Sequence, residues 1–340
     1  MRVKKFALIR SDRIGDLVLS LPVAEAIKDA VPDAYVAFVV SPYNAAIARA
    51  CPFVDEVIEY AEKADRLGGL ARLTRRFRSG AFDAAIFLRP TLRAALAALL
   101  AGVPVRVGTA YRFYSLLFNR RVPEHRRHAE KHEREFNLAL LASAIDIRSL
   151  DYSPRIELGD AARGYARSVI ERLGLARKGY VIIHPGSGGS ARNLTPESYA
   201  WLADYVEDEM KVKVVLTGGP GEEGLLDRVD SLREKESTRL EDTPDLMGLA
   251  AFIEGAALFV SGSTGPMHIA AAVGTPTISF FSPVRSCSPR RWGPVSRMSR
   301  VIMPPVPECP TCIGRRCEYF DCMDRIDRQS VTGAARELLR

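Results

Sequence analysis

A chain of 340 residues is long enough to form two domains. Its hydrophobic content of 47% and charged content of 26% are typical of a soluble globular protein. No apolar run approaches the roughly 20 residues that cross a bilayer, and the stretch FALI near the start is too short for a signal peptide. The sequence therefore excludes an obvious membrane span and predicts a cytoplasmic protein, whose net charge of +7 favours an anionic partner.

Strand-like and helix-like segments alternate along the first half of the chain. The predicted strands are KFALIR, AYVAFVV, VDEVIEY and DAAIFLR. The predicted helices cover residues 16–30, the segment NAAIARA, residues 70–77, the segment LRAALAALLAG and residues 130–144. Strands that are separated by helices indicate βαβ units and a parallel sheet.

The same alternation restarts after a polar connector at residues 146–158. Its strands are YVIIHPG, VKVVLTGG, the segment ending at FVSG, and TISFF, with helices between them and a last helix at residues 329–339. We predict an α/β protein of two doubly wound Rossmann-like domains facing a central cleft. The N-terminal domain covers residues 1–155 and the C-terminal domain covers residues 156–325. The final helix, in residues 326–340, packs back toward the N-terminal domain.

Positive charge is concentrated in residues 112–134, which hold seven Lys or Arg, three Glu and three of the five histidines. Such a segment is typical of a contact for nucleic acid, anionic lipid or a phosphorylated or carboxylated substrate. A solvated loop and helix face explains it equally well.

The stretch IRSDRIGDLVLSLP joins the first strand to the first helix, where a doubly wound fold binds ligand. Gly15 permits a tight turn, and Asp16 falls in the first helical turn. A carboxylate there acts either as a general base or as a charge that complements the helix dipole.

A glycine- and serine-rich loop, HPGSGGSARNLTPESY, follows the first strand of the second half. Its backbone N–H groups, Ser187 and Arg192 together suit a diphosphate. The loop matches neither a P-loop nor a dinucleotide fingerprint, and a flexible connection is the alternative. In LTGGPGEE, at the next strand end, Glu222 suits ribose hydroxyls or a helix cap.

The segment SGSTGPMHIAAAVG begins a helix with small residues, hydroxyls and a proline at the first helical position. Such a start carries unpaired N–H groups and partial positive charge, so Ser263, Thr264 and Gly265 suit an anion. His268, in the first turn, either lies beside that anion or is a buried neutral histidine.

Taken together, these stretches resemble the ADP-heptose:lipopolysaccharide heptosyltransferases, glycosyltransferase family 9. The resemblance runs in order through RIGDLVLSLPVAEAIK, AGVPVRVG, HPGSGGSARNLTPE, GGPGEE, STGPMHIAAAVGTPT and the cysteine-rich end. It implies a GT-B fold and an inverting, metal-independent transfer of a sugar from a nucleotide diphosphate donor. Many members have aspartate in place of Ser263 and lysine in place of Arg192.

The resemblance also implies roles for individual residues. Asp16 would be the base on the acceptor hydroxyl, Arg192 would bind donor phosphate, and Glu222 would bind ribose. Thr264, Gly265 and His268 would surround the diphosphate and the transferring sugar. The acceptor would be an anionic, lipid-linked glycan of the lipopolysaccharide core or another surface glycan, reached at the inner face of the cytoplasmic membrane.

Two other functions compete with this prediction. One is another nucleotide-sugar enzyme on the same fold, such as a hydrolysing epimerase, which would turn over donor without acceptor. The other is a nucleic-acid-binding protein, against which the sequence shows no helix-turn-helix, finger or interleaved basic-aromatic motif.

Four of the six cysteines are clustered, with the spacing C-x2-C-x4-C-x4-C from Cys309 to Cys322. In a cytosolic protein such a cluster either holds a structural metal or remains as reduced or redox-labile thiols. Its members are Cys309, Cys312, Cys317 and Cys322. No catalytic metal or other cofactor is predicted. Cys51 and Cys287 are expected to be packing residues.

Overall fold

The computed structural model describes residues 3–62, 68–189, 191–240 and 245–340. The chain divides into two compact units, Met1–Glu157 and Leu158–Arg340. The boundary falls inside the polar connector of residues 146–158, two residues after the predicted end of the first domain.

The first unit is built on a parallel sheet of six strands in the order β3-β2-β1-β4-β5-β6. Its strands are β1 (Lys5–Ile9), β2 (Tyr35–Val40), β3 (Glu56–Glu59), β4 (Ala84–Phe87), β5 (Val105–Thr109) and β6 (Arg120–Val122). Its helices are α1 (Ile14–Val18), α2 (Pro22–Ala30), α3 (Ala45–Arg49), α4 (Gly68–Gly80), α5 (Leu92–Leu100) and α6 (Glu133–Ala142), with 3-10 turns at Pro42–Asn44, Phe113–Leu117 and Arg126–His128.

The predicted helix of residues 16–30 is in fact two helices, α1 and α2. Pro22 lacks the N–H group that a continuous helix needs, so the chain turns at residues 19–21 and begins a new helix with Pro22 in its first turn. The central strands β1 and β4 are apolar and buried on both faces, as is usual for a parallel sheet covered by helices on each side.

The second unit repeats this architecture with the sheet order β12-β11-β10-β7-β8-β9. Its strands are β7 (Tyr180–His184), β8 (Lys213–Leu216), β9 (Thr238–Arg239), β10 (Leu258–Gly262), β11 (Thr277–Phe280) and β12 (Ser299–Ile302). Its helices are α7 (Asp160–Arg172), α8 (Pro196–Glu209), α9 (Glu223–Asp230), α10 (Leu246–Gly255), α11 (Gly265–Ala272), α12 (Pro289–Trp292) and α13 (Arg328–Leu338), with 3-10 turns at Arg285–Cys287, Gly314–Arg316 and Cys322–Arg325.

Both sheets therefore have the same strand order, and the prediction of two doubly wound α/β domains is confirmed. In each unit the first strand pairs in parallel with the second strand and with the fourth. Strand β1 lies between β2 and β4, and β7 lies between β8 and β10. The chain changes direction across the sheet at these pairs, and a crevice opens there beyond the carboxyl ends of the strands. These two positions are where ligands are expected.

The last helix is part of the second compact unit. Helix α13 contributes Val331 and Ala335 to the apolar core that also holds Ile278 and Phe280 of β11. Its packing back toward the N-terminal domain stays a prediction.

None of the helices in the described ranges combines the length and the apolar character that a bilayer span requires.

Packing of α7 against α10 predicts opposite effects for two Gly→Ala substitutions. A Cβ at Gly255 would lie 2.7 Å from the Tyr180 hydroxyl and 3.0 Å from Ile170 Cδ1, so Gly255→Ala is expected to destabilise the second unit by about 1–3 kcal/mol. A Cβ at Gly164 meets only Arg167, at 3.7 Å, so Gly164→Ala is expected to stabilise by up to about 1 kcal/mol. Thermal unfolding of both variants checks this; equal effects would contradict the packing described.

Candidate active site

Glu222 organises the glycine-rich loop that follows β7. Its carboxylate accepts hydrogen bonds from the Gly188 N–H at 2.9 Å and the Gly219 N–H at 2.7 Å. A Cβ at Gly186 would lie 1.9 Å from Glu222 Oε2, so only glycine fits there. Gly188 also has a positive φ of 53°, which glycine adopts readily. Glu222, predicted to bind ribose, thus also fixes the loop predicted to bind diphosphate.

The pKa of Glu222 lies below its ordinary value. Burial opposes its ionisation, but the N–H groups of Gly219 and Gly188 outweigh that cost by donating to the charged form. Glu222 is therefore a carboxylate at neutral pH, and an ionised carboxylate has more acceptor positions than these two N–H groups occupy.

A buried histidine lies beneath the loop, at the last position of β7. The Nδ1 atom of His184 is 3.0 Å from the Thr217 hydroxyl, and its Nε2 atom is 3.9 Å from Glu222. Burial lowers the pKa of His184 to about 4, with Glu222 opposing the shift. The side chain is neutral at pH 7 and connects the ends of β7 and β8.

The end of β10 meets this loop through Asn193. The Asn193 carboxamide donates to the Pro185 carbonyl and to the Ser187 hydroxyl, both at 3.0 Å. A Cβ at Gly262 would lie 2.3 Å from Asn193 Oδ1 and 3.8 Å from the Tyr199 hydroxyl. The close approach of Gly262 to Asn193 therefore brings the start of α11 beside the glycine-rich loop.

Thr264 precedes α11 in an extended conformation, with Pro266 in the first turn of the helix. Its side chain accepts no hydrogen bond from the first turn, although Thr91 and Thr195 cap α5 and α8 in that way. The N–H groups of the first turn and the Thr264 hydroxyl thus remain oriented for an anion at the carboxyl ends of β7 and β10. His268 is buried in the same helix.

Arg192 is held by the cysteine-rich segment. Its guanidinium donates to the Phe320 carbonyl at 2.6 Å, contacts Cys312 Sγ at 3.4 Å, and stacks 4.9 Å from the Phe320 ring centre. A guanidinium has five N–H donors, more than these contacts use. Phe320 is a supporting residue that the sequence did not indicate, since it lies 128 residues away.

The structure thus brings Ser187, Glu222 and the Ser263–Gly265 turn to one edge of the second sheet. Ser190, in the glycine-rich loop, lies outside the described residues. Exposed N–H groups, hydroxyls and a cation around a crevice are chemically suited to a polyvalent anion, and the Glu222 carboxylate is suited to hydroxyl donors.

In the first unit, Asp16 lies in α1, directly after β1, and forms an ion pair with Arg10. Arg10 is 2% exposed and also contacts Asp12 at 2.8 Å and Glu133 at 3.0 Å. One buried guanidinium therefore holds three carboxylates at the carboxyl end of β1.

A second layer of contacts fixes this cluster. Arg126 donates to Glu133 at 2.8 Å and to Asn137 at 2.9 Å. The Asn137 carboxamide donates to the Ser20 hydroxyl at 3.1 Å, and Ser20 donates to the Asp16 carbonyl at 2.7 Å. Because Glu133 is fully buried, Arg10 and Arg126 are both needed to balance the charge of the cluster.

The pKa of Asp16 is raised above its ordinary value. Burial is the largest cause, the charges of Asp12 and Glu133 add to it, and the Arg10 guanidinium opposes it. A carboxylate with a raised pKa is a stronger base than an exposed one. It is still partly accessible, with 17% of its side chain exposed, so the arrangement is suited to removing a proton from a hydroxyl group.

The four clustered cysteines are all free thiols, and Cys51 is buried as expected of a packing residue. Throughout the described part of the chain, no three His, Cys, Asp or Glu side chains lie together in a way that could hold a metal ion. Whether Cys309, Cys312, Cys317 and Cys322 hold a structural metal or remain reduced or redox-labile thiols therefore stays a prediction from their spacing. Cys312 contacts Arg192, and Cys322 is packed in the core.

Known proteins provide an independent comparison. The model of glycosyltransferase family 9 (heptosyltransferase) matches residues 70–320. A Haemophilus influenzae protein named "Putative glycosyltransferase" is 31% identical over 310 residues, which cover 88% of each chain.

Two solved structures share the fold. The family 9 glycosyl transferase of Veillonella parvula has a TM-score of 0.85 at 21% identity and covers 99% of this chain and 97% of its own. The Escherichia coli ADP-heptose lps heptosyltransferase II has a TM-score of 0.79 at 22% identity, covering 99% and 98%. At these identities the likeness shows that the chain has the GT-B-type fold of these enzymes.

The Arg10 cluster predicts a large loss of stability when its cation is removed. Arg10→Met removes the buried cation that pairs with Asp12, Asp16 and Glu133. We therefore expect the free energy of unfolding to fall by about 3–5 kcal/mol. Arg49→Met is the control, because Arg49 and Glu59 form an exposed pair worth less than about 1 kcal/mol. Urea unfolding distinguishes the two; equal losses would show that Arg10 is not the central cation.

His184 predicts a specific pH dependence of stability. Its pKa is about 6.5 in the unfolded chain and about 4 when folded, so between these values only the unfolded chain takes up its proton. Stability is therefore complete above pH 6.5 and falls as the pH drops toward 4. His184→Gln is expected to reduce the dependence of the melting temperature on pH over this window, because the uptake of one proton on unfolding is lost. A slope identical to that of the wild type in His184→Gln would contradict a buried neutral histidine.

Proposed function

The chain belongs to glycosyltransferase family 9, and from that premise we propose that it transfers heptose or a related sugar from a nucleotide diphosphate donor to a surface-glycan acceptor. It is a glycosyltransferase; the donor, the acceptor and the residue roles are the proposal. The observation that carries it is the meeting of the glycine-rich loop, Glu222 and the start of α11 at the β7–β10 crevice.

The donor binds through the second unit. Its diphosphate lies against the N–H groups of the loop containing Ser187 and against Thr264 and Gly265 at the start of α11. Glu222 accepts hydrogen bonds from the ribose hydroxyls, while its bonds to Gly188 and Gly219 hold the phosphate loop. ADP-heptose is the donor that we propose, in keeping with the name of the E. coli enzyme. Ser263 and His268 lie beside the transferring sugar.

Asp16 is the general base. Its carboxylate takes the proton from the acceptor hydroxyl as that oxygen attacks the anomeric carbon, and the bond from that carbon to the phosphate oxygen breaks. A single displacement of this kind inverts the anomeric configuration. The raised pKa of Asp16 favours proton transfer, and Arg10 and Glu133 fix the direction of its carboxylate.

Negative charge grows on the departing nucleoside diphosphate, and the second unit is built to receive it. The helix start supplies N–H groups and partial positive charge, and Arg192, supported by Phe320, supplies a full cation. These groups take the part that a divalent cation plays in other transferases, so we propose a metal-independent reaction with no other cofactor.

The acceptor is an anionic, lipid-linked glycan such as the lipopolysaccharide core, as the name of the E. coli enzyme indicates for that protein. Arg89, which is 41% exposed at the end of β4, and Arg126 provide positive charge on the acceptor side of Asp16. We place the enzyme in the cytoplasm, peripherally at the inner face of the cytoplasmic membrane. Nucleic acid is not a partner in this proposal.

Calorimetric titration with ADP, UDP, GDP, CDP and ADP-heptose, with and without EDTA, tests the donor site. We expect ADP to bind best, without dependence on EDTA. Thr264→Val is expected to weaken ADP binding by about tenfold, since one hydrogen bond to a charged group is worth about 1.5–3 kcal/mol. Thr332→Val is the matched control, because half-buried Thr332 lies in α13, where its hydroxyl donates to the Gln329 carbonyl at 3.1 Å. Asp16→Asn is expected to bind ADP normally but to lose turnover by about 10²–10⁴-fold.

Other outcomes change the proposal in defined ways. Tight binding of a different nucleotide would move the donor to another sugar, and donor hydrolysis without acceptor would favour an epimerase-like enzyme. Normal turnover in Asp16→Asn would remove Asp16 as the base. If no nucleotide bound, the anion site itself would be wrong.

A further inference from the structure

A segment of the first unit that overlaps the basic residues 112–134 and begins further upstream carries an even larger excess of positive charge. Residues 70–122 hold ten arginines and no lysine, against a single acidic residue, Asp83. Their net charge of +9 exceeds the +7 of the whole chain, so the remaining residues together are slightly negative. This segment covers most of α4, all of α5 and the 3-10 turn Phe113–Leu117.

The same segment exposes large apolar side chains. Phe113 and Leu116 are 81% and 76% exposed, more than any other large apolar residue in the described ranges. Leu92, Leu99 and Leu100 of α5 are also exposed, at 45%, 38% and 51%. Exposed apolar groups within a strongly basic surface are uncommon in proteins that remain free in solution.

The turn and the two helices form one continuous surface, which we call the arginine–leucine face. The Tyr114 hydroxyl donates to the Pro90 carbonyl at 2.9 Å, which places the turn beside the start of α5. Arg78 of α4 donates to the Leu100 carbonyl at 2.8 Å, which places α4 at the other end of α5.

Hydrogen bonding and packing hold the turn that carries Phe113 and Leu116 in place. The Ser115 hydroxyl donates to the Thr109 carbonyl at 2.6 Å, Phe118 is fully buried, and Tyr114 and Leu117 pack against the core of the first unit. The exposure of Phe113 and Leu116 therefore results from the conformation of the turn, because the side chains next to them in the sequence are packed in the core.

We propose that the arginine–leucine face docks on an anionic lipid bilayer, with Phe113 and Leu116 inserted among the acyl chains and the surrounding arginines on the lipid phosphates. The inference deepens the proposed function and rests on it, because a lipid-linked acceptor is confined to such a surface. Insertion of apolar side chains and contacts of arginines with lipid phosphates act together in interfacial binding. Each arginine near the anionic surface contributes about 1 kcal/mol.

The charge of the face argues against its other occupants. A second copy of the chain packed face to face would bring the exposed arginines of the two faces, such as Arg75 and Arg112, close together, and like charges oppose that contact. Nucleic acid would complement the arginines but offers no apolar phase to the leucines of α5. A bilayer with anionic headgroups complements both components of the face.

Co-sedimentation of the full chain with lipid vesicles tests the proposal. We expect binding to vesicles of phosphatidylcholine with phosphatidylglycerol, weak binding to phosphatidylcholine alone, and a loss of binding at high salt. Phe113→Ser with Leu116→Ser is expected to reduce partitioning by about tenfold or more. Arg75→Glu with Arg112→Glu is expected to reduce it by roughly 25-fold, since each arginine is worth about fivefold.

Matched controls are Leu150→Ser for an exposed apolar residue and Arg167→Glu with Arg172→Glu for two exposed arginines of α7. Equal losses in the controls, or equal binding to neutral vesicles, would overturn the proposal. Two further results would overturn the proposal. One is a dimer in sedimentation velocity that dissociates when Phe113 and Leu116 are both replaced by serine. The other is binding to duplex DNA without binding to vesicles.

ADP binding separates this proposal from the transferase proposal. Variants of the arginine–leucine face should keep wild-type melting temperature and ADP affinity, because the substituted residues lie in the first unit and the proposed donor-binding residues lie in the second. Vesicle binding that follows the expected pattern without any nucleotide binding would leave the docking face intact and refute the transferase. Nucleotide binding and turnover of a delipidated acceptor without vesicle binding would do the reverse.

Discussion

The parallel pairing of β7 with β10 is the constraint on which the proposed donor site depends. Because parallel strands end at the same edge of a sheet, the loop after His184 and the turn after Gly262 must emerge side by side. Their separation is then set by small contacts, the bonds of Asn193 to Pro185 and Ser187 and the close approach of Gly262. The sheet brings together the two loops that we propose to bind the diphosphate, and these side-chain contacts hold them in place.

Two carboxylates at equivalent sheet edges have opposite electrostatic surroundings. Glu222 is surrounded by N–H donors, which stabilise its charge and lower its pKa. Asp16 is buried near two other carboxylates and its pKa is raised despite Arg10. A group that organises a loop benefits from a permanent charge, whereas a base benefits from affinity for a proton, so the different surroundings match the different roles that we propose.

The sequence was sufficient where the information is local. Strand ends, small-residue turns and the proline at the start of α11 identify the loops and the fold, since period and turn chemistry depend on neighbouring residues. The proline that breaks the helix at Pro22 is also a local signal, but the apolar pattern continues on both sides of it and therefore favours one long helix. Arg10, Glu133 and Phe320 were not predictable in this way. Glu133 reaches Arg10 across 123 residues of chain, and only tertiary packing joins them.

Positive charge is distributed unevenly along this chain. Concentrating it costs free energy, which favours the presence of an anionic partner. Ten arginines within residues 70–122 repel one another, and the acids that pair with Arg76 and Arg89 come from outside that segment. Self-repulsion of this kind destabilises a folded unit unless an external anion relieves it. The apolar Phe113 and Leu116 add a second cost, because their hydration is unfavourable. An anionic bilayer relieves both costs together. In the buried cluster at Asp16, by contrast, the arginine of the same unit is paired internally with carboxylates.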